Sequence, residues 1–257
     1  MYEGQTDWRG AVRALDAIVC GQVLIVDDDR AFGGFMATAL ESRGHNVDWA
    51  GTIQDGIASL YARRYDLVIL DLHLPDGSGL QLLRNATDRR LLTDSAAIIL
   101  TGHDFDAPND IRVFRKDFEV EPFLDRVAAI VAANRRHRAL AATRPPAAVN
   151  GMAFDRKRPD KVIKIELILY TRSGSDTCRR ALSTIHRVLE QYNKAQVRLT
   201  VCDLAETPDG GDADSVIYTP TLVKRGPGPR TWIVGNLDSD EFLIELLELS
   251  GVDRRGR

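Results

Sequence analysis

Apolar and polar positions along the first half of the chain predict strands and helices in turn. Short apolar runs occur at residues 23–28, 46–50, 67–72 and 96–102. Between the first two runs, apolar residues recur three and four positions apart, as on one face of a helix. Apolar strands that alternate with helices are typical of a parallel sheet covered on both sides. We therefore expect a doubly wound α/β unit with its ligands at the carboxyl ends of the strands.

The second half of the chain predicts a different order of elements. Alternating strands are expected at residues 163–170 and 197–204, with an amphipathic helix between them. Residues 219–236 predict two strands joined by a Gly-Pro-Gly-Pro turn. A last helix is expected to begin with Asp238 as its N-cap and to stop at Gly251. The predicted order is βαβ, an irregular segment, then ββα.

These patterns divide the chain into five parts. They are an amphipathic extension (1–20), a first α/β unit (21–133), a linker (134–161), a second unit (162–251) and a tail (252–257). The linker is rich in Arg, Ala and Pro, and its Pro-Pro step stops any helix that enters it. With 44% hydrophobic residues in 257, the chain can bury two modest cores.

Composition excludes several classes of protein. A net charge of -3 argues against a protein that binds nucleic acid through its overall field. The first residues do not resemble a signal peptide, and no apolar run reaches the length of a membrane span. Three widely spaced cysteines indicate neither a disulfide framework nor a zinc site. We expect a cytoplasmic protein that does not bind membranes.

Candidate chemistry lies where the predicted strands end. Asp27, Asp28 and Asp29 end the first run, Asp71 ends the third and Thr101 ends the fourth. Clustered carboxylates raise one another's proton affinity unless a cation lies between them, and a hard divalent ion such as Mg2+ suits oxygen ligands. With the metal in place, Asp71 can act as a nucleophile toward phosphorus.

The motifs LIVDDD (24–29), VILDLHLPDGSG (68–79) and ILTG (99–102), together with Lys116, resemble the receiver domain of two-component response regulators. The resemblance covers about residues 21–133 and implies a flavodoxin-like (βα)5 fold. It implies a Mg2+ site made by Asp27, Asp28, Asp71 and the backbone carbonyl of His73. It also implies that Asp71 is phosphorylated and that Thr101 and Lys116 contact the phosphoryl group.

By the same resemblance, the phosphoryl donor is a histidine kinase or a phosphotransfer protein. The resemblance also implies that the receiver catalyses its own phosphoryl transfer and dephosphorylation, and we expect no other enzymatic activity of the chain. The stretch between Thr101 and Lys116 is too short for a helix of about 11 residues, a strand of about 5 and two connections. We therefore expect a reduced fourth helix, and an output face unlike that of most receivers.

The second unit has the element order of thioredoxin-like folds, in which a cis proline precedes the third strand, here at Pro220. A thioredoxin needs two cysteines at the start of its first helix. Ser175 stands in place of the first, and Cys178 has apolar partners along the helix, so we expect it to pack inward. No catalytic thiol is predicted.

Residues 166–182 and 219–237 resemble KaiB, the cyanobacterial clock protein, and the related sensor domain of the kinase SasA. The resemblance implies a protein-binding unit that docks on a KaiC-like hexameric ATPase. A thioredoxin-like spacer or dimerisation module with no clock partner is the alternative for this unit.

Together these features predict a response regulator whose receiver controls a KaiB-like output. One alternative is a phospho-regulated thioredoxin-like redox protein, which the missing first cysteine disfavours. Another is a receiver-linked regulator that binds nucleic acid through the basic linker residues 135–138, although a solvated helix end explains these charges better. The extension at 1–20 is expected to cover the receiver or to form a homodimer.

Overall fold

The structure, a computed structural model, describes residues 20–101, 120–143 and 163–255, apart from residues 215, 217, 227 and 236. The helix expected within residues 1–20, the reduced fourth helix, Lys116 and the part of the linker beyond residue 143 lie outside these residues. They therefore stay predictions.

The first unit alternates strands and helices, as its sequence pattern predicts. Its elements are β1 (Gln22–Val26), α1 (Arg30–Ser42), β2 (Asn46–Ala50), α2 (Ile53–Ala62), β3 (Leu67–Asp71), β4 (His73–Leu74), β5 (Gly77–Ser78), α3 (Gly79–Asp88), β6 (Ala96–Thr101) and α4 (Val120–Thr143). β4 and β5 form a small antiparallel hairpin apart from the main sheet. The pattern had not indicated this hairpin, because each of its strands has only two residues.

The second unit has the predicted order. Its elements are β7 (Ile165–Thr171), α5 (Asp176–Leu189), β8 (Val197–Asp203), β9 (Thr221–Gly226), β10 (Thr231–Gly235) and α6 (Asp240–Leu249), with 3-10 turns at Lys194–Gln196 and Pro208–Asp214. The α/β fold class is confirmed for both units.

One eight-stranded sheet joins the two units, in the order β2-β1-β3-β6-β10-β9-β7-β8. β6 and β10 pair in parallel, from Ala97 opposite Thr231 to Thr101 opposite Gly235. In the flavodoxin-like order 2-1-3-4-5, the place beside the fourth strand belongs to the fifth strand of the same domain. Here β10 of the second unit lies there. We call the β6–β10 pairing and the helix contacts beside it the seam.

The chain has two cores, one on each face of the sheet, and the seam merges the apolar surfaces of the two units in both of them. One core lies on the face of the sheet that α2, α3, α5 and α6 cover. The other lies on the opposite face, beneath α1 and α4. Each core therefore contains side chains from both units.

The predicted start of the linker at residue 134 is also wrong. α4 continues to Thr143, and Asn134 within it donates to the backbone oxygens of Asp66 (2.9 Å) and Asp94 (2.6 Å). Arg138 forms an ion pair with the buried carboxylate of Asp66. These contacts hold the end of the helix against the sheet. The described part of the helix ends at Thr143, two residues before the first proline of the Pro-Pro step.

The last helix begins one residue later than its sequence predicts. Ser239, not Asp238, is the N-cap, and its Oγ accepts from the backbone N–H of Phe242 at 3.4 Å. Asp238 instead accepts from Arg180 at 3.0 Å. Gly251 follows the helix with a φ of 70°, a left-handed conformation that glycine adopts without strain.

Candidate functional site

Three carboxylates meet at the carboxyl ends of β1 and β3. Asp27 and Asp28 follow β1, Asp71 ends β3, and one oxygen of each lies within 4.8 Å of the others. β1 and β3 are neighbours in the sheet, with Val26 opposite Leu70. The parallel pairing thus brings together the acidic residues that the sequence placed at strand ends.

Backbone groups orient two of these carboxylates. Asp27 is 1% exposed, and its Oδ1 accepts from the N–H of Asp29 at 3.0 Å. The Oδ1 of Asp71 accepts a long bond from the N–H of His73, at 3.4 Å. Asp71 is half-buried and Asp28 is exposed, so the cluster opens to solvent on one side.

The third aspartate of the run has a different role. Asp29 is the N-cap of α1, and its side chain accepts from the backbone N–H groups of Ala31 (2.9 Å) and Phe32 (3.2 Å). Asp29 therefore lies outside the group of three carboxylates.

The segment after Asp71 is held firmly. Gly79 lies so close to the backbone of Asp71 that an added Cβ would be 2.2 Å from the carbonyl oxygen, so only glycine fits without displacement. Asp76 accepts from the N–H groups of Ile53 (2.8 Å) and Gln54 (3.1 Å) at the start of α2. Asp76 is exposed, and although the desolvation of its carboxylate opposes ionisation, these backbone donors hold its pKa below the ordinary value.

The donor set of the cluster fits Mg2+. All of its possible ligand atoms are carboxylate oxygens, which hard divalent cations prefer, and a cation between them relieves the mutual repulsion of the three like charges. Thr101 ends β6 at the same edge of the sheet, although its side chain is outside the described set, as is Lys116. The carbonyl contact of His73, the phosphoryl contacts of Thr101 and Lys116 and the roles of the three aspartates stay predictions.

The first helix of the second unit begins with a serine and a cysteine at the positions where a thioredoxin has two cysteines. Ser175 is the N-cap of α5, and its Oγ accepts from the N–H of Cys178 at 3.3 Å. Cys178 is 4% exposed and packs inward, as its apolar partners predict. The Thr219–Pro220 peptide bond is cis, as expected from sequence. The described residues therefore place no pair of thiols at the position of a dithiol.

Sequence reasoning missed the contacts that join the phosphoacceptor loop to the second unit. Ser78 Oγ, which caps α3 by accepting from Leu80 N (3.1 Å), donates to Glu245 Oε2 of α6 at 2.9 Å. On the other face of the sheet, the guanidinium of Arg126 in α4 lies 5.2 Å from the ring centre of Trp232 in β10. No sequence motif marks these pairs, because each joins residues far apart in the chain.

No helix among the described residues is long and apolar enough to cross a membrane.

The parallel strands of the first unit, with acidic side chains at their carboxyl ends, have the arrangement expected of a receiver domain. Comparison with family models agrees: residues 23–118 match the response regulator receiver domain, and residues 168–249 match the KaiB domain. The chain belongs to the response regulator family, and its C-terminal half carries a KaiB domain.

Two regulatory proteins, ActR and RegA, support this assignment by sequence similarity. The acid tolerance regulatory protein ActR of Rhizobium meliloti is 33% identical over 184 residues, which is 69% of this chain and 90% of ActR. The photosynthetic apparatus regulatory protein RegA of Rhodobacter capsulatus is 31% identical over 66% of this chain and 88% of its own length. A CheY-like receiver from Methanospirillum hungatei is 25% identical, with a TM-score of 0.39, over 46% of this chain and 98% of that receiver.

Proposed function

We propose that this response regulator is phosphorylated on Asp71 by a histidine kinase or a phosphotransfer protein, with Mg2+ held by Asp27, Asp28 and Asp71. The observation that carries this proposal is the convergence of the three carboxylates within 4.8 Å at adjacent strand ends. When bound, Mg2+ neutralises charge on the phosphoryl oxygens.

The chain's own residues supply the rest of the chemistry. A carboxylate oxygen of Asp71 forms the new bond to phosphorus as the bond to the donor's histidine nitrogen breaks, and that nitrogen keeps the electron pair. The N–H groups of His73 and Asp29 hold the carboxylates of Asp71 and Asp27 in place. Thr101 and Lys116 contact the phosphoryl oxygens. Hydrolysis of the acyl phosphate by water returns the site to its starting state, and the chain has no further enzymatic activity.

A direct test is labelling of the full chain by acetyl phosphate with and without Mg2+, read by intact-protein mass. We expect one phosphoryl group per wild-type chain only with Mg2+, none on Asp71→Asn, and strongly reduced labelling of Asp28→Asn. Asp29→Asn is the matched control, because asparagine still caps α1 and Asp29 is no ligand. Labelling of Asp71→Asn at the wild-type level would refute the assignment.

We further propose that the KaiB-like unit is a protein-docking output, with a KaiC-like hexameric ATPase as its partner, in the cytoplasm. The match to the KaiB domain supports this. The buried thiol of Cys178 and the serine at position 175 weigh against the redox alternative.

Phosphorylation reaches this output across the seam. The Ser78–Glu245 hydrogen bond joins α6 to the loop that follows Asp71, and β10 pairs with the strand that ends in Thr101. A phosphoryl group adds about -1.5 to -2 charge at Asp71 and so favours one arrangement of this loop over another.

The docking proposal is tested by the affinity of the full chain for a purified KaiC-like ATPase, with and without beryllofluoride and Mg2+. We expect the two dissociation constants to differ in the wild type and to coincide in Asp71→Asn. Equal constants in the wild type would contradict phosphorylation control, because a population shift requires differential binding.

A further inference from the structure

A buried positive charge lies at the seam, and none of the described residues supplies a carboxylate partner for it. Arg126 of α4 is 6% exposed, and its Nη1 has no hydrogen-bond partner within the described part of the chain. Within the described part of the chain, the guanidinium carbon of Arg126 lies 5.2 Å from the centre of the Trp232 ring. A cation–π contact offsets only part of the cost of removing a guanidinium from water.

The charged groups near Trp232 do not supply a free carboxylate for Arg126 among the described residues. Arg230 lies 5.1 Å from the same Trp232 ring, so two guanidinium groups share one indole. The buried carboxylate of Asp214 is already engaged by Arg230 and by Arg225, the latter at 3.0 Å. The Nε1 of Trp232 donates to the backbone oxygen of Asp214 at 2.9 Å. The carboxylate of Asp214 therefore already has two guanidinium partners, and among the described residues no ion pair joins it to Arg126.

The surroundings of Arg126 disfavour its charged form. Burial, and after it the charge of Arg230, lower its pKa to about 9 against a smaller opposing effect of Tyr170. The side chain still carries its charge at neutral pH. A buried charge of this kind is normally paired.

A small cavity lies beside this guanidinium. Arg126 and Trp232 line it together with apolar side chains of both units, among them Ile98, Phe123 and Val234. It has room for a body about the size of one water molecule. Phosphate, sulfate and organic acids are too large for it without displacement of the lining.

We propose that this cavity at the seam binds a monovalent inorganic anion of about the size of chloride, with Arg126 as its main ligand. A water molecule in the cavity would accept a hydrogen bond from Nη1 but would leave the positive charge of Arg126 uncompensated. An anion accepts the same hydrogen bond and also neutralises the charge. Because its lining comes from both units, the bound anion stabilises the seam itself.

The test is thermal unfolding of the full chain, with chloride replacing gluconate at constant ionic strength. An anion that binds only the folded chain raises the midpoint in proportion to the logarithm of its concentration above Kd. We expect this rise in the wild type, and none in Arg126→Met. In chloride-free buffer, the variant should unfold at or above the wild-type temperature, since an apolar side chain replaces an unpaired buried charge.

Arg136→Met is the matched control. Arg136 is exposed on the same helix, about 15 Å along its axis from Arg126. It should keep the full chloride dependence. An equal dependence in wild type and Arg126→Met, or none in the wild type, would overturn the proposal.

A second measurement does not depend on a variant. Crystals of the wild type soaked in bromide should show an anomalous peak within hydrogen-bonding distance of Arg126 Nη1. Bromide peaks confined to the protein surface would also overturn the proposal.

Discussion

Truncation of one side chain in β10 should destabilise both units. Ile233 is fully buried, and lies opposite Ile99 of β6 on one side and Leu222 of β9 on the other. Its replacement by alanine leaves a cavity in a core that contains side chains of both units. Substitutions of this kind cost about 2 to 5 kcal/mol. For a chain of this size, that lowers the unfolding midpoint by roughly 4 to 20 °C.

Hydrogen exchange measured by mass spectrometry at increasing denaturant concentration reports the stability of each unit in the same sample. Peptides covering β1 and β7 should lose protection at a common midpoint in the wild type, and at a common lower midpoint in Ile233→Ala. Val201→Ala is the control, because Val201 is 43% exposed on the edge strand β8 and its loss should change stability by only about 0.5 kcal/mol. If the β1 peptides of Ile233→Ala kept the wild-type midpoint while the β7 peptides did not, the shared core would be refuted.

Two further predictions concern the seam and the pH dependence of folding. Glu245→Ala removes the carboxylate that accepts the hydrogen bond of Ser78. The free energy of unfolding of the full chain, measured by urea titration, should fall by at most about 1.5 to 3 kcal/mol, because solvent screens this half-buried contact. An unchanged midpoint would show that this bond does not stabilise the seam. Burial, then the charges of Arg43 and Arg135, hold the pKa of His45 below its ordinary value of 6.5. The folded chain thus binds this proton less readily than the unfolded chain, so stability is full above pH 6.5 and falls as the pH drops below it. His45→Gln should reduce this loss between pH 7 and 5, and an identical loss would exclude His45 as its source.

Much of the fold follows from local patterns. β1, β3 and β6 are buried on both faces, so their sequences are continuous apolar runs, and Asp27 and Asp71 mark where two of these runs end. Because parallel strands end at one edge of the sheet, the cluster could be predicted without knowledge of any long-range contact. The same holds for the inward packing of Cys178.

The seam could not be predicted in this way. β6 and β10 pair through backbone groups, which carry no residue-specific signal, and each strand reads equally well as part of its own unit. Glu245 is an ordinary polar position of an amphipathic helix until Ser78 lies beside it. The C-terminal end of α4 could not be predicted from sequence for a related reason. Its Arg-rich end resembles a solvated linker, and the buried Asp66 that pairs with Arg138 is distant in the chain.

The central claim is that a change at Asp71 reaches the KaiB-like unit through the shared sheet. Hydrogen exchange of the full chain with and without beryllofluoride and Mg2+ tests it most directly. We predict altered protection in β10 and α6, residues 231–249, in the wild type and no change there in Asp71→Asn. A response confined to residues 20–101, with 231–249 unaffected, would contradict the account.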